Sequence, residues 1–399
     1  MLTRRIHAMR LTLAVLLPCC GIGLARADTL RVGVGEPFMR IGDAAGAAKD
    51  GDIVEIMPGE YRADVAVWKQ KQLTIRGVGE RPILIVDGAS AEGKAIWVIR
   101  NGDFVVENIE FRGARVPHGN GAGIRFERGR LQVRDSVFVD NQTGILTGND
   151  RSAELAIEAC LFADAPRQEH SLPHLLYVGR IARFRVTGSR FHNGYRGHLV
   201  KSRAQHSEVR YNLIVDGPTG AASYELEFPD GGSAVVVGNV IAQSALSPNR
   251  SVVAYAAEGR AWPHNRLLLA HNTLVSEGSR PARFTRIWND RAPATEVVVR
   301  NNLAAGSGVF ERGLPGEHAA NFSLPADSFD AGTLDFALPA DSPLRGRARR
   351  IAGEHAGTLT PSAEFSLPLG TVPLAPVRAW TPGAFQRPAR LRAPAGSAR

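Results

Sequence analysis

Apolar and polar positions recur in this chain as one six-residue phrase, apolar-x-x-polar-apolar-apolar. It appears as VENIEF (106–111), VRDSVF (133–138), IEACLF (157–162), VTGSRF (186–191), VRYNLI (209–214), VVGNVI (236–241), LAHNTL (269–274) and VRNNLA (299–304). Its fourth position gives the column Ile109, Ser136, Cys160, Ser189, Asn212, Asn239, Asn272 and Asn302, at spacings of 27, 24, 29, 23, 27, 33 and 30 residues. A period of this length, rich in β-branched and aromatic residues at alternate positions, predicts short strands. Only residues 41–49 compete as an amphipathic helix. One repeat cannot bury its own apolar face, so each strand must stack on its counterpart in the next repeat, about 4.8 Å away. Equivalent side chains then form ladders, and an inward asparagine column can bond its neighbours and the backbone of a turn. Cys160 occupies a ladder slot, where a small buried filler is expected.

The strands preceding the ladder phrases carry the chemistry. Aligned as HLLYVG (174–179), HLVKSR (198–203), YELEFP (224–229) and VVAYAA (252–257), their fourth positions are Tyr177, Lys201, Glu227 and Tyr255, at gaps of 24, 26 and 28. Because residues two apart in a strand share a face, Lys201 and Arg203 are expected together on one strand. Glu225 and Glu227 are expected together on the next, opposite an inward face of Tyr224, Leu226 and Phe228. His174, His198, Asp230 and Glu258 fall close to this column, and His118 lies in a turn that could border it. Surface ion pairing between Lys201, Arg203 and the two glutamates is the competing explanation for the charges, and it would contribute little.

The ladder and the chain ends carry a resemblance. The asparagine column, the opening Gly51-Asp52-Ile53-Val54-Glu55-Ile56-Met57-Pro58-Gly59-Glu60-Tyr61 after a short helix, and the closing Leu334-Asp335-Phe336-Ala337-Leu338 resemble the right-handed parallel β-helix of the pectate-lyase-like superfamily. The resemblance implies an all-β, single-domain parallel solenoid over residues 28–352, with the short helix capping its N-terminal end. It fixes a fold more than a function, since the fold also hosts hydrolases, epimerases and non-enzymatic adhesins.

Composition narrows the setting. Arg4, Arg5 and Arg10, the apolar run Leu11 to Leu17, and Leu24-Ala25-Arg26-Ala27 read as a signal peptide cleaved after Ala27, with an apolar run too short to span a membrane. A periplasmic or secreted chain follows, with no transmembrane segment. Of three cysteines, Cys19 and Cys20 leave with the signal, so an internal disulfide is excluded. The formal charge of +9 falls to about +5 without the signal, which suits an anionic polymer. No nucleic-acid motif is present. Residues 353–399 form a Pro/Ala/Arg-rich tail that either wraps the solenoid or is disordered.

These features together predict an exported polysaccharide lyase acting on an anionic, uronic-acid-containing glycan as a monomer. β-Elimination needs a group that neutralises the sugar carboxylate, a base for the proton alpha to it and an acid for the leaving oxygen. Lys201, Arg203, Tyr177 and His198 are the expected catalytic residues, with Lys201 as a candidate base. His174, Tyr255 and Glu258 would bind substrate. Glu225, Glu227 and Asp230 would supply calcium, the expected cofactor, with oxygen ligands. A hydrolase using two of these carboxylates, a C5-epimerase and a non-catalytic glycan-binding envelope protein are the alternatives.

Overall fold

Each recurring phrase closes a turn between two strands, and each coil repeats the same path. In one coil His206–Arg210 is followed by the ladder residue Asn212, then Leu213–Val215, an outer loop, and Tyr224–Phe228; Ser233–Val237 opens the next. The computed structural model describes residues 27–389 apart from 260, 289–294, 311–315, 330 and 376. The expected signal peptide, Ala27 aside, lies outside the described residues. Stacking gives three parallel sheets. The first has 12 strands, from Thr29–Val32 to Glu317–Ala319, and the second has 11, from Glu60–Arg62 to Phe322–Leu324. The third has 10 strands, from Ala66–Trp68 to Gly308–Phe310. The chain is thus an all-β parallel solenoid, and its coils stay in register: Val209 opposes Val236, which opposes Leu269, then Val299.

The ladder forms as the spacings require. The backbone N–H of Asn212 donates to Asn239 Oδ1 (2.9 Å), that of Asn239 to Asn272 Oδ1 (3.0 Å), and that of Asn272 to Asn302 Oδ1 (2.9 Å). Each side-chain amide also donates to a carbonyl of the preceding coil, as from Asn239 Nδ2 to Val209 O (2.8 Å). Ser189 and Ser136 fill the same slot with a hydroxyl, accepting from Cys160 N and Ile109 N. Cys160 is buried, and burial pushes its thiol pKa up to about 12, so it serves as filler. The column extends one rung further than the phrase predicts: Asn302 N donates to Asn321 Oδ1 (3.1 Å). The residue before each rung is left-handed, including Asp135, Ala159, Tyr211 and His271 at φ of 40° to 55°. Such residues cost about 1–2 kcal/mol each, so the ladder bonds must hold the turn.

Below the turn, Phe111, Phe138, Phe162 and Phe191 stack with centroids 4.7–5.0 Å apart and planes within 6°. The helix Ile41–Ala47 buries Ile41, Ala44 and Ala45 against the first coils. Asp64 accepts from the N–H groups of Ile41 and Gly42 that have no partner within the helix at its start. At the other end, residues 351–375 and 377–389 run along the outside of the stack. Ile351 and Leu359 cover Val235, Leu268 and Val298 on the first sheet, and Phe365 and Ala384 cover Val215, Val240 and Val275 on the second. This explains why the late first-sheet strands SAVVV, RLLLA and EVVVR are apolar on both faces, whereas earlier ones carry charge outside.

Asn239→Ala leaves Asn212 N buried without its partner and takes one donor from Val209 O. A loss of at least about 2 kcal/mol is expected from the cost of unsatisfied buried groups, read as a lower urea midpoint. Asn120→Ala, in an outer turn, should change it by less than about 0.5 kcal/mol.

Candidate functional site

The third sheet turns a regular strand into an irregular display. In its five-residue strands, positions one and four face outward and positions two, three and five face the core. Leu199, Val200 and Ser202 are buried, as are Glu225, Leu226 and Phe228. Outward there remain His174 and Tyr177, His198 and Lys201, Tyr224 and Glu227, in register across three coils. The strict two-residue alternation fails between positions two and three.

These outward groups form one cluster. His174 and His198 lie with ring centroids 4.8 Å apart, and His198 and Tyr224 5.0 Å apart. Lys201 Nζ lies 3.5 Å from Glu227 Oε2 and 3.1 Å from Glu258 Oε1. Arg203, just past the strand end, donates to Tyr177 Oη (2.8 Å), Asp230 Oδ1 (2.5 Å) and Glu258 Oε2 (2.6 Å). Asp230 is also held by Arg180 at 2.7 Å. The indole of Trp262, from a later loop, donates to the carbonyl of Arg203 (3.0 Å) and fixes its backbone. Lys201 was expected to face solvent. Instead it lies on the outer face under a roof: its side chain is 10 % exposed and that of Arg203 12 %, while the bridging Glu258 is 48 % exposed.

Protonation follows from these contacts. The N–H of His198 donates to His174 Nδ1 (2.9 Å), so the neutral His174 ring carries its proton on Nε2. Burial holds its pKa well below the usual histidine range, and the positive charge of His198, Lys201 and Arg203 adds to this. Burial also lowers the pKa of His198, against the opposing pull of Glu227. His198 Nδ1 lies 3.0 Å from Glu227 Oε2, outside hydrogen-bond geometry, and a carboxylate facing that nitrogen favours the tautomer with the proton on Nδ1 and the lone pair on Nε2. Burial works against the charge of Arg203, but its bonds to Glu258 and Tyr177 outweigh this and raise its pKa. Burial would raise Glu258, yet Arg203 and Lys201 hold it below the usual carboxylate value.

Two expected residues lie elsewhere. Tyr255 is one register away from its predicted place: Glu227 opposes Ala254, and Tyr255 falls opposite Phe228, inside the core. There its hydroxyl donates to Gly232 O (2.5 Å) and burial raises its pKa. Glu225 is wholly buried on the core side of the strand, accepting from Gln243 Nε2 (3.0 Å). Burial and the nearby Asp216 raise its pKa well above the ordinary value. The carboxylates proposed for calcium therefore go to three places: Glu225 to the core, Glu227 to Lys201 and His198, and Asp230 to two guanidinium groups. They do not fit a shared calcium site, and Glu225 and Glu227 cannot act as a hydrolytic pair across one bond.

An open groove of about 700 Å³ adjoins the cluster along the third sheet. His174 and Tyr177 form its border with the cluster, and His118, Arg125, Asn149, His170 and Arg196 line the rest. Arg125 and Arg180 escaped the sequence alignment, which began at His174 and stopped at strand ends. Extending the fourth-position column two coils back, to AGIRF (122–126), reaches Arg125. A second groove, about 440 Å³, crosses the first sheet. Its charges are mutually satisfied across coils, as in Arg183–Glu154 (3.5 Å) and Arg185–Glu208 (3.3 Å).

The fold is similar to a solved structure described as pectate lyase Pel9A, with a TM-score of 0.57 and 12% sequence identity, covering 92% of this chain and 98% of that chain. No protein-family model and no curated protein matches the chain in sequence. At this identity the likeness is one of fold.

Glu225→Gln tests the buried acid. A carboxyl whose folded pKa is raised binds more protons in the folded state, so its contribution is full at low pH and is lost as pH rises. Asp216, raised to about 6 mainly by burial, acts in the same direction. Urea unfolding from pH 4 to 8 should show stability falling less steeply in Glu225→Gln than in the parent, with the variant the more stable at pH 8. An equal slope would place an ionised glutamate there.

Proposed function

We propose that this protein is an exported polysaccharide lyase that cleaves a uronic-acid-containing glycan by β-elimination. The observation that carries the reading is Glu258, a half-exposed carboxylate bridging Lys201 and Arg203 beside a carboxylate–imidazole pair and a tyrosine hydroxyl. A carboxylate already occupies the place where a sugar carboxylate would be neutralised. The lyase described for the similar fold supports the reaction class. No helix among the described residues is long and apolar enough to cross a membrane.

In this reading the substrate carboxylate displaces Glu258 and is gripped by Arg203 and Lys201. Withdrawal of charge from that carboxylate makes the proton alpha to it acidic. Lys201, a donor to two carboxylates, suits this task better than that of the base predicted from sequence. His198 is the better base: Glu227 orients it through Nδ1, and its Nε2 lone pair takes the alpha proton. The electron pair forms the new carbon–carbon double bond as the glycosidic C–O bond breaks. Tyr177, whose oxygen already accepts from Arg203, donates its hydroxyl proton to the leaving oxygen. His174, with Nε2–H, is placed to hold a sugar oxygen.

The test is ultraviolet absorbance of the unsaturated product across a panel of uronate polymers. At least one should yield it. Lys201→Ala and Arg203→Lys should each lower kcat by about 10²–10³, the usual cost of losing an electrostatic stabiliser, the first by removing a charge and the second because an ammonium cannot reproduce a bidentate grip. Glu258→Ala should lower KM by removing the internal competitor. Since burial depresses His198, the acid limb of kcat/KM should lie below pH of about 6.5. Unchanged turnover by Lys201→Ala and His198→Ala would remove the assignment, and loss of activity on chelation would restore a metal role.

A further inference from the structure

Arg125 stands on the same outward column as Tyr177 and Lys201, two coils before Tyr177. Its strand Ala122–Phe126 pairs with Thr143–Thr147, placing Arg125 opposite Leu146, which opposes Tyr177, which opposes Lys201. The guanidinium lines the open groove. It has no hydrogen bond or ion pair among the described residues, and its Nε is buried without a partner. The acid nearest in sequence, Glu127, is taken by Lys94 (2.8 Å) and Arg100 (3.0 Å). Burial lowers the pKa of Arg125 while Glu127 only partly offsets it. Among the described residues the cations of the neighbouring cluster, Arg180, Lys201 and Arg203, each meet a carboxylate, whereas this half-buried cation has a free fork. A buried donor left unmade is costly, and a planar carboxylate is the partner that its geometry fits.

We propose that Arg125 is a second carboxylate subsite, which grips a uronate unit distant from the one at Lys201 and Arg203. The proposal rests on the lyase reading above and gives its substrate a length. Three strand spacings separate Arg125 from Lys201, about 14 Å at the usual distance between paired strands. One sugar carboxylate cannot serve both. The ligand therefore carries acidic groups on separate sugar units, and the groove between them, bordered by His174 and Tyr177, holds the intervening chain. A monomeric uronate would gain only one of the two grips.

Calorimetry on the full chain tests this, using hexagalacturonate, its methyl ester and monomeric galacturonate, with His198→Ala as the background to limit turnover. Adding Arg125→Met should weaken hexagalacturonate binding at least about tenfold, which is 1.4 kcal/mol. It should leave the monomer unchanged, and Arg125→Lys should recover part of the loss. The methyl ester should bind weakly with or without Arg125. Equal affinity of hexagalacturonate for the parent and Arg125→Met, with matching melting temperatures, would overturn the subsite. Should unsaturated product form while Arg125→Met leaves both affinity and KM unchanged, the subsite fails and the lyase reading stands. Should hexagalacturonate bind in an Arg125-dependent way while no uronate yields unsaturated product, the subsite stands and the lyase reading fails.

Discussion

The ladder turn is the constraint on which the molecule depends. At each coil the chain must turn from the first sheet onto the second in two residues, and it does so by placing a left-handed residue immediately before an inward polar one. A left-handed tyrosine or aspartate is unfavourable alone. It persists because the next coil's asparagine accepts the backbone N–H and donates to the carbonyl of the coil before. No coil can satisfy its own turn, just as none can bury its own phenylalanine. Polar satisfaction and apolar burial therefore demand the same neighbour at the same register, which is the consistency that specifies one fold.

That register positions the chemistry. Because coils repeat at one strand spacing, side chains separated by 24 to 57 residues in sequence meet as neighbours: Tyr177 with Arg203, Lys201 with Glu258. The core side of the third sheet is closely packed, and its strands carry Tyr177, His198, Lys201 and Glu227, while Arg180, Arg203, Asp230, Glu258 and Trp262 join them from the turns beyond the strand ends. The cluster is closed by ion pairs on all sides but two. Glu258 is half in solvent and can yield, and Arg125 is unpaired. Both openings invite a carboxylate, and both face the groove side of one sheet.

The fold was legible because the ladder phrase recurs eight times and its polar slot cannot be filled at random. Asn321 was missed because its coil is only 19 residues after Asn302, too short for the period. The cluster was legible in part. Lys201, Arg203, His174, His198, Tyr177, Glu227, Asp230 and Glu258 do come together, since the column spacing matched the ladder spacing. Glu225 was misplaced because strand alternation was assumed to be strict, while these five-residue strands turn two successive residues inward; Tyr255 was misplaced because its strand begins one residue earlier than the alignment had it, at Ser251. In sequence only Leu199 marks the break in alternation, an apolar residue placed outward by the same rule that placed Lys201 there. The late first-sheet strands are apolar on both faces, and Ile351 and Leu359 provide the cover.

The account's central claim is that the outer face of the third sheet receives a sugar carboxylate where Glu258 now sits. A crystal structure of Glu258→Ala with a bound oligouronide tests it most directly. The account predicts a uronate carboxylate within hydrogen-bond distance of the Arg203 guanidinium and Lys201 Nζ, with the chain running along the groove past Tyr177 and His174. An oligouronide seated on the first-sheet groove, with Lys201 and Arg203 still turned only to Glu227 and Asp230, would contradict it.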